Sequence, residues 1–242
     1  MRWIYISPHF DDAVLSCGGL IWEQTHSGIP VEIWTVNAGD PPPGPVSDLI
    51  TRVHSEWKTG SSPDTVALRR IEDQNAARRV GATTRHLGMV DAIYRRTKTG
   101  SLLYTRDVFE PIHPREGGIV DETMRQIAEQ LTQYDTIVCP LAIGGHVDHV
   151  ITRQAAEMLR RPLWYYADIP YALKHAEYVA PATSAMNSKT FFISPQGLAA
   201  WQRGIAAYAS QVSSLFGDAQ EMRAQIRNYM QSNGGLTIWD RA

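Results

Sequence analysis

Arg2-Trp3-Ile4-Tyr5-Ile6-Ser7, running without a break into Pro8-His9-Phe10-Asp11-Asp12, decides the architecture. The first part is a short apolar run of β-branched and aromatic residues, as found in buried strands, and the second is a turn carrying a histidine and two acids. A matching unit recurs past the middle of the chain: Thr136 to Cys139, then Gly145-His146-Val147-Asp148-His149. In an α/β protein, ligand sites form outside the carboxyl ends of parallel strands, so both clusters stand where such a site is expected.

Further strands are expected over Val31 to Val36, Thr84 to Met89 and Leu163 to Tyr166. Between them lie helical patterns: Val66 to Val80, stopped by Gly81; Asp121 to Tyr134, with Met124, Ile127 and Leu131 on one face; and Asp148 to Arg160. Ser194-Pro195 is a cap and first-turn pair for a helix through Tyr208, and Glu221 to Ser232 closes before Gly234. Alternating strands and helices predict an α/β, Rossmann-like fold with a mostly parallel sheet flanked by helices, in a single domain over residues 1–242. Asp40 to Asp64, Thr97 to Gly118 and Val179 to Asn187 fit no pattern and are expected as loops that rim the site.

The chain has 242 residues, 43% hydrophobic and 20% charged, with a formal net charge of -2. Its charges are well mixed, so no nucleic acid or anionic membrane surface is expected as a partner. No stretch reaches the length of a membrane span, and the first strand begins too early for a secretory leader, so a cytoplasmic protein is expected. Cys17 and Cys139 each sit in an apolar segment, which suits small buried residues better than a disulfide.

A hydrolytic zinc site uses three ligands drawn from histidine and carboxylate, with one position left open. His9, Asp12 and His149 would supply that set, leaving Asp11 as a free carboxylate to act as general base. His146 remains as a second group outside the ligand set, with Asp148 placed to orient its ring and favour its protonated form. A lone aspartate after a strand is more often a helix cap, and His26, His54, His86, His113 and His175 read as surface or satisfied core groups. The clustering of His9 with two acids, and of His146 and His149 around Asp148, is what lifts these residues above that background. Gly18-Gly19 and Gly144-Gly145 form neither a dinucleotide nor a Walker fingerprint, and are expected to permit close helix-strand approach.

These residues resemble the zinc-dependent N-acetylglucosaminyl deacetylase superfamily, the PIG-L or LmbE-like proteins. Its first motif stands here as Pro8-His9-Phe10-Asp11-Asp12 with Leu15 and Gly18-Gly19, its second as Gly145-His146-Val147-Asp148-His149. The likeness continues through Arg69-Arg70-Ile71-Glu72, Ala76-Ala77, Gly81, Leu87-Gly88 and Asp91, and fades beyond Arg160. The resemblance implies zinc at His9, Asp12 and His149, with Fe2+ as the other divalent metal that this set would accept. It implies Asp11 as base, His146 as the group that stabilises the oxyanion and protonates the leaving amine, and Asp148 as its support. Arg69, Asp40 and Asp91 fall where substrate contacts occur in the family. One departure stands out: some sugar deacetylases carry a tyrosine where this chain has Gly144.

The implied activity is removal of acetyl from an N-acetylated amino sugar or its glycoconjugate, giving a free amine and acetate. A hydrolase of another amide or ester, and a non-catalytic metal or sugar-binding module, are the rival readings. Trp57, Tyr94, Tyr104, Tyr166 and Tyr171 are the aromatics available to stack on a sugar. Whether the chain forms a homo-oligomer is left open.

Overall fold

In the computed structural model, which describes residues 1–241, five strands run parallel: β1 (Trp3–Ser7), β2 (Val31–Thr35), β3 (Thr83–His86), β4 (Thr136–Pro140) and β5 (Leu163–Tyr166). Two more complete the sheet, β6 (Asn187–Phe191) and β7 (Leu236–Asp240), in the order β3-β2-β1-β4-β5-β7-β6. β7 is antiparallel to both β5 and β6.

β1 shows why the sheet is central. Its Ile4 and Ile6 pack with Trp34, Ile137 and Cys139 on one face, while Tyr5 packs on the other with Leu20, Ile21 and Ile205. Successive side chains of a strand point to opposite faces, so a run that is apolar throughout requires cover on both. That cover is α1 (Asp12–His26), α3 (Ser62–Arg79) and α8 (Pro195–Ile205) on the Tyr5 face, and α4 (Ile119–Ala128) and α5 (Val147–Met158) on the other.

The chain leaves β1 toward β2 on one side and enters β4 on the other, so the strand order reverses between β1 and β4. The turns after these two strands carry the two acid-histidine clusters, and they open onto the same crevice.

Several expectations need correction. The segment from Asp40 to Asp64 contains α2 (Asp48–Trp57), started by Ser47, whose hydroxyl accepts the Ile50 N–H, and the first residues of α3, capped by Ser61. Beyond Arg160 the fold adds α9 (Ala209–Phe216) and strands β6 and β7, while α10 (Ala219–Ser232) falls where a helix over Glu221 to Ser232 is expected. Two short helices, α6 (Tyr171–Lys174) and α7 (Val179–Thr183), lie between β5 and β6. The Gly18-Gly19 pair serves helix-helix rather than helix-strand approach: a Cβ on Gly18 would stand 2.5 Å from Cδ1 of Trp201 in α8. The buried indole N–H of Trp201 donates to the Val14 carbonyl at 2.8 Å. β3 ends at His86 and α4 at Ala128, both short of the expected limits.

Candidate active site

The turn from β1 into α1 builds the first wall. The Ser7 hydroxyl accepts the Ala13 N–H at 3.0 Å and donates to the His9 carbonyl, closing the turn tightly. Asp11 precedes α1 but makes no capping bond, so its carboxylate is free for other work. Asp12 folds back, its Oδ2 accepting the His9 N–H at 2.7 Å. Opposite, α5 is capped by His146, whose Nδ1 accepts the Asp148 N–H at 3.1 Å. His9, His146 and His149 then form a triangle of imidazoles with ring centres 4.7 to 5.3 Å apart.

Asp12 Oδ2 lies 3.2 Å from His9 Nδ1 and 3.4 Å from His149 Nε2. With metal bonds of about 2.0–2.1 Å, the donor-to-donor edge of a tetrahedron is about 3.3 Å, which both of these separations match. The far nitrogens of both rings are engaged by buried acids: His149 Nδ1 with Asp168 at 2.6 Å and His9 Nε2 with Asp148 at 3.0 Å. Each histidine is thereby turned so that its remaining nitrogen faces Asp12. Among the described residues, the donor groupings whose atoms all lie within 4.8 Å of one another are His9 with His146 and His149, and His9 with Asp91 and Asp148. His146 Nδ1 and both Asp148 oxygens hold hydrogen bonds, as Asp12 Oδ2 does with the His9 N–H, while Nε2 of His146 is free among the described residues.

The electrostatics agree. Burial opposes charge on His9 and His149, yet Asp91, Asp12 and Asp148 around the first, and Asp12 and Asp168 around the second, draw both toward the positive form. Burial likewise opposes ionisation of Asp12, but His149 and His9 hold its carboxyl well below the usual range. Its neighbour Asp11 behaves oppositely. Burial pushes it up to about 6, with Arg69 pulling the other way.

Arg69 points inward from α3, its Nη2 3.3 Å from Asp11 and its Nη1 3.7 Å from Asp91, with the guanidinium 4.4 Å over the Trp57 ring. Asp91 joins the cleft and lies 3.9 Å from His9 Nε2. Asp40 does not join. It is exposed and paired with Arg70 at 3.1 Å, because the residue next to Arg69 on α3 faces the outside of the helix and draws Asp40 with it.

Asp148 also departs from expectation. Its carboxylate takes the Ala92 N–H at 2.9 Å, Arg95 and His9, and it meets His146 through its backbone N–H alone. Arg95, in turn paired with Glu116, is the strongest charge available in that buried spot and turns the carboxylate away from the His146 ring. His146 is not held protonated: burial first, then the positive His9, drive its pKa well below the ordinary value.

Of the aromatics, Trp57 and Tyr171 line the cleft. Tyr104 and Tyr166 are buried with their hydroxyls bonded to Glu116 and the Ile6 carbonyl, and Tyr94 is bonded to His54. Tyr171 occupies the space beside Gly144, where a Cβ would come within 2.6 Å of its Cδ1; Gly144 has φ +90°. Its ring stands edge-on to His149, with centres 5.7 Å apart. Phe109, half exposed, packs against both His146 and Tyr171 at the mouth. The cleft measures about 280 Å³, and α9 closes it with Gln211, Ser214 and Leu215. Asp168 was visible in principle as an acid following a strand, and Tyr171 as an aromatic able to stack on a sugar, whereas no local signal marks Phe109 or Gln211.

Fold and site define an α/β protein with a buried acid-histidine cluster where the strand order reverses, and the comparisons agree on its family. The profile of the GlcNAc-PI de-N-acetylase (PIG-L) family matches residues 4–159, and the chain belongs to that family. It is 29% identical to the 2'-N-acetylparomamine deacetylase of Niallia circulans, over 96% of this chain and 86% of the relative. A teicoplanin biosynthesis deacetylase, solved as a complex, matches with TM-score 0.85 and 27% identity over 99% of this chain and 97% of that one. The A40926 pseudoaglycone deacetylase Dbv21 matches with TM-score 0.76 and 28% identity over 99% and 96%. A further solved structure is described as a zinc-inhibited form of teicoplanin deacetylase Orf2, with TM-score 0.82 and 26% identity over 99% and 97%. Among the described residues, no helix is long and apolar enough to cross a membrane.

Proposed function

We propose that this chain hydrolyses the acetamide of an N-acetylated amino sugar or its conjugate, with zinc held by His9, Asp12 and His149. The observation that carries the reading is the split between adjacent carboxylates: Asp12 is held ionised beside two imidazoles, while Asp11 is raised to about 6 beside them. Neighbouring acids pushed apart in this way divide the work of binding and of proton transfer.

When bound, the ion supplies Lewis acidity, polarising the acetamide carbonyl and making water a stronger acid. Asp11 takes a proton from the attacking water as its oxygen bonds to the carbonyl carbon. His146 accepts the Asp148 N–H at Nδ1, so its own proton resides on Nε2. Asp11 then hands the proton it took from water to the sugar nitrogen as the carbon-nitrogen bond breaks, while the neutral His146 keeps its Nε2 proton and donates a hydrogen bond to the developing oxyanion. Acetate and the free amine leave. Tyr171, beside His149 with burial raising its pKa, stays protonated and offers a hydroxyl to the developing oxyanion. Arg69 and Asp91 face the cleft and hold the substrate.

The test is release of acetate and amine from a panel of N-acetylated amino sugars, run beside simple amides and esters. Asp11→Asn is expected to keep the metal and lose roughly two to four powers of ten in turnover, the usual weight of a general base. Ester cleavage without acetate release from any amino sugar overturns the reading.

A further inference from the structure

We infer that Gln211, in the part of the chain beyond the PIG-L match, reads a hydroxyl of the sugar by accepting its hydrogen bond through Oε1. The inference rests on the deacetylase reading for the site and adds how the site chooses its sugar.

The amide of Gln211 is oriented by a relay that begins in α3. Glu72 is buried, and it accepts the Ser210 N–H at 2.8 Å through one oxygen and the Ser210 hydroxyl at 2.6 Å through the other. With its proton spent on Glu72, the Ser210 oxygen becomes an acceptor, and Gln211 Nε2 donates to it at 2.8 Å. Because an amide carries its donor and acceptor on opposite arms, this fixes which arm is left over. The free arm is the carbonyl Oε1. Gln211 lines the cleft and is 3% exposed, and among the described residues its Oε1 accepts no hydrogen bond.

A second tie keeps α9 in place. Asp73, next to Glu72, accepts the Tyr208 hydroxyl at 3.0 Å just before α9 begins. Two consecutive acids of α3 thus hold the start of α9, and α3 also carries Arg69 to Asp11. The acceptor of Gln211 is therefore rigid with respect to the catalytic carboxylate. A fixed acceptor beside a stack of Trp57 and Arg69 matches a sugar ring, which offers hydroxyl donors around an apolar face. A buried acceptor that loses its donor is left unpaired, and this is how such a position rejects a close analogue.

The experiment is a binding and turnover cycle on the zinc-loaded protein. The probes are N-acetylglucosaminides and the matching glucosaminides, each as parent and as its 3-, 4- or 6-deoxy analogue. Wild type is expected to discriminate against one deoxy analogue by about tenfold or more, in calorimetric affinity as well as in kcat/KM. Gln211→Met, of similar volume and without the acceptor, is expected to bring that ratio below about threefold, while losses on the other analogues stay uniform. Ser210→Ala, which frees the amide to turn, is expected to reduce the same ratio in part. Equal discrimination in Gln211→Met and wild type, no discrimination in wild type, or a uniform loss across every probe overturns the inference. Sugar discrimination by affinity without acetate release would overturn the deacetylase reading and leave the role of Gln211 standing.

Discussion

His149 Nδ1 lies 2.6 Å from Asp168 Oδ1, and the other oxygen of that carboxylate accepts the Ile143 N–H at 3.0 Å. Asp168 is fully buried just past β5, so the ring it grips is fixed with Nε2 toward Asp12. An acid behind a metal-binding histidine sets the tautomer and the ring angle, and removing one typically costs about 10–100-fold in metal affinity. Asp168→Asn is expected to weaken zinc binding by that factor in competition with a chelator, with a much smaller loss of turnover at saturating zinc. Unchanged zinc affinity would detach Asp168 from the metal site.

With Asp11 as the proposed base, Arg69 is expected to set the acid limb of the pH profile. Asp11 must be ionised to accept a proton, and burial raises its pKa to about 6 while Arg69 opposes that rise. In Arg69→Met the opposing charge is gone, so the pKa climbs further and the acid limb of kcat/KM moves to higher pH. Bound zinc would lower the limb in both proteins and leave the direction of the difference unchanged. Profiles of the two proteins compared at saturating zinc check this. A limb that stays put or moves to lower pH contradicts the assignment.

Tyr171 carries a different expectation. Its hydroxyl has no hydrogen-bond partner among the described residues, and Tyr171→Phe removes a donor while keeping the ring that packs on Gly144 and His149. Turnover is expected to fall by about 10²-fold, the weight of one oxyanion donor, with zinc content unchanged. Near-normal turnover would leave the oxyanion to other groups.

Stability offers a test that needs no substrate. A Cβ on Gly18 would sit 2.5 Å from Trp201 Cδ1, in the middle of the α1 and α8 contact, whereas one on Gly60 meets nothing closer than 3.5 Å. Gly18→Ala is expected to cost about 1–3 kcal/mol in urea unfolding, as overpacked cores do. Gly60→Ala is expected to stay within about 0.5 kcal/mol.

Much of this was legible in one dimension. The apolar runs before His9 and before His146 located β1 and β4, because a strand covered on both faces must be apolar at successive positions. Elements after Arg160 were harder. β6 is largely exposed at the sheet edge and carries polar residues, so its pattern resembles a loop, and α9 is too short to show a periodicity.

By itself, the sequence determined the α/β class, the two acid-histidine turns and the chemical types able to hold a metal, since these depend on neighbours a few residues away. The tertiary structure alone decided which acid serves which ring. Asp148 sits beside His149 in the chain yet grips His9, because Arg95 and the Ala92 N–H pull its carboxylate across the crevice. Arg69 and Arg70 are adjacent, yet one enters the cleft and the other holds Asp40 at the surface. Consecutive positions of a helix point about 100° apart, and where each side chain ends is set by charges and cavities brought from distant segments, which no local pattern encodes.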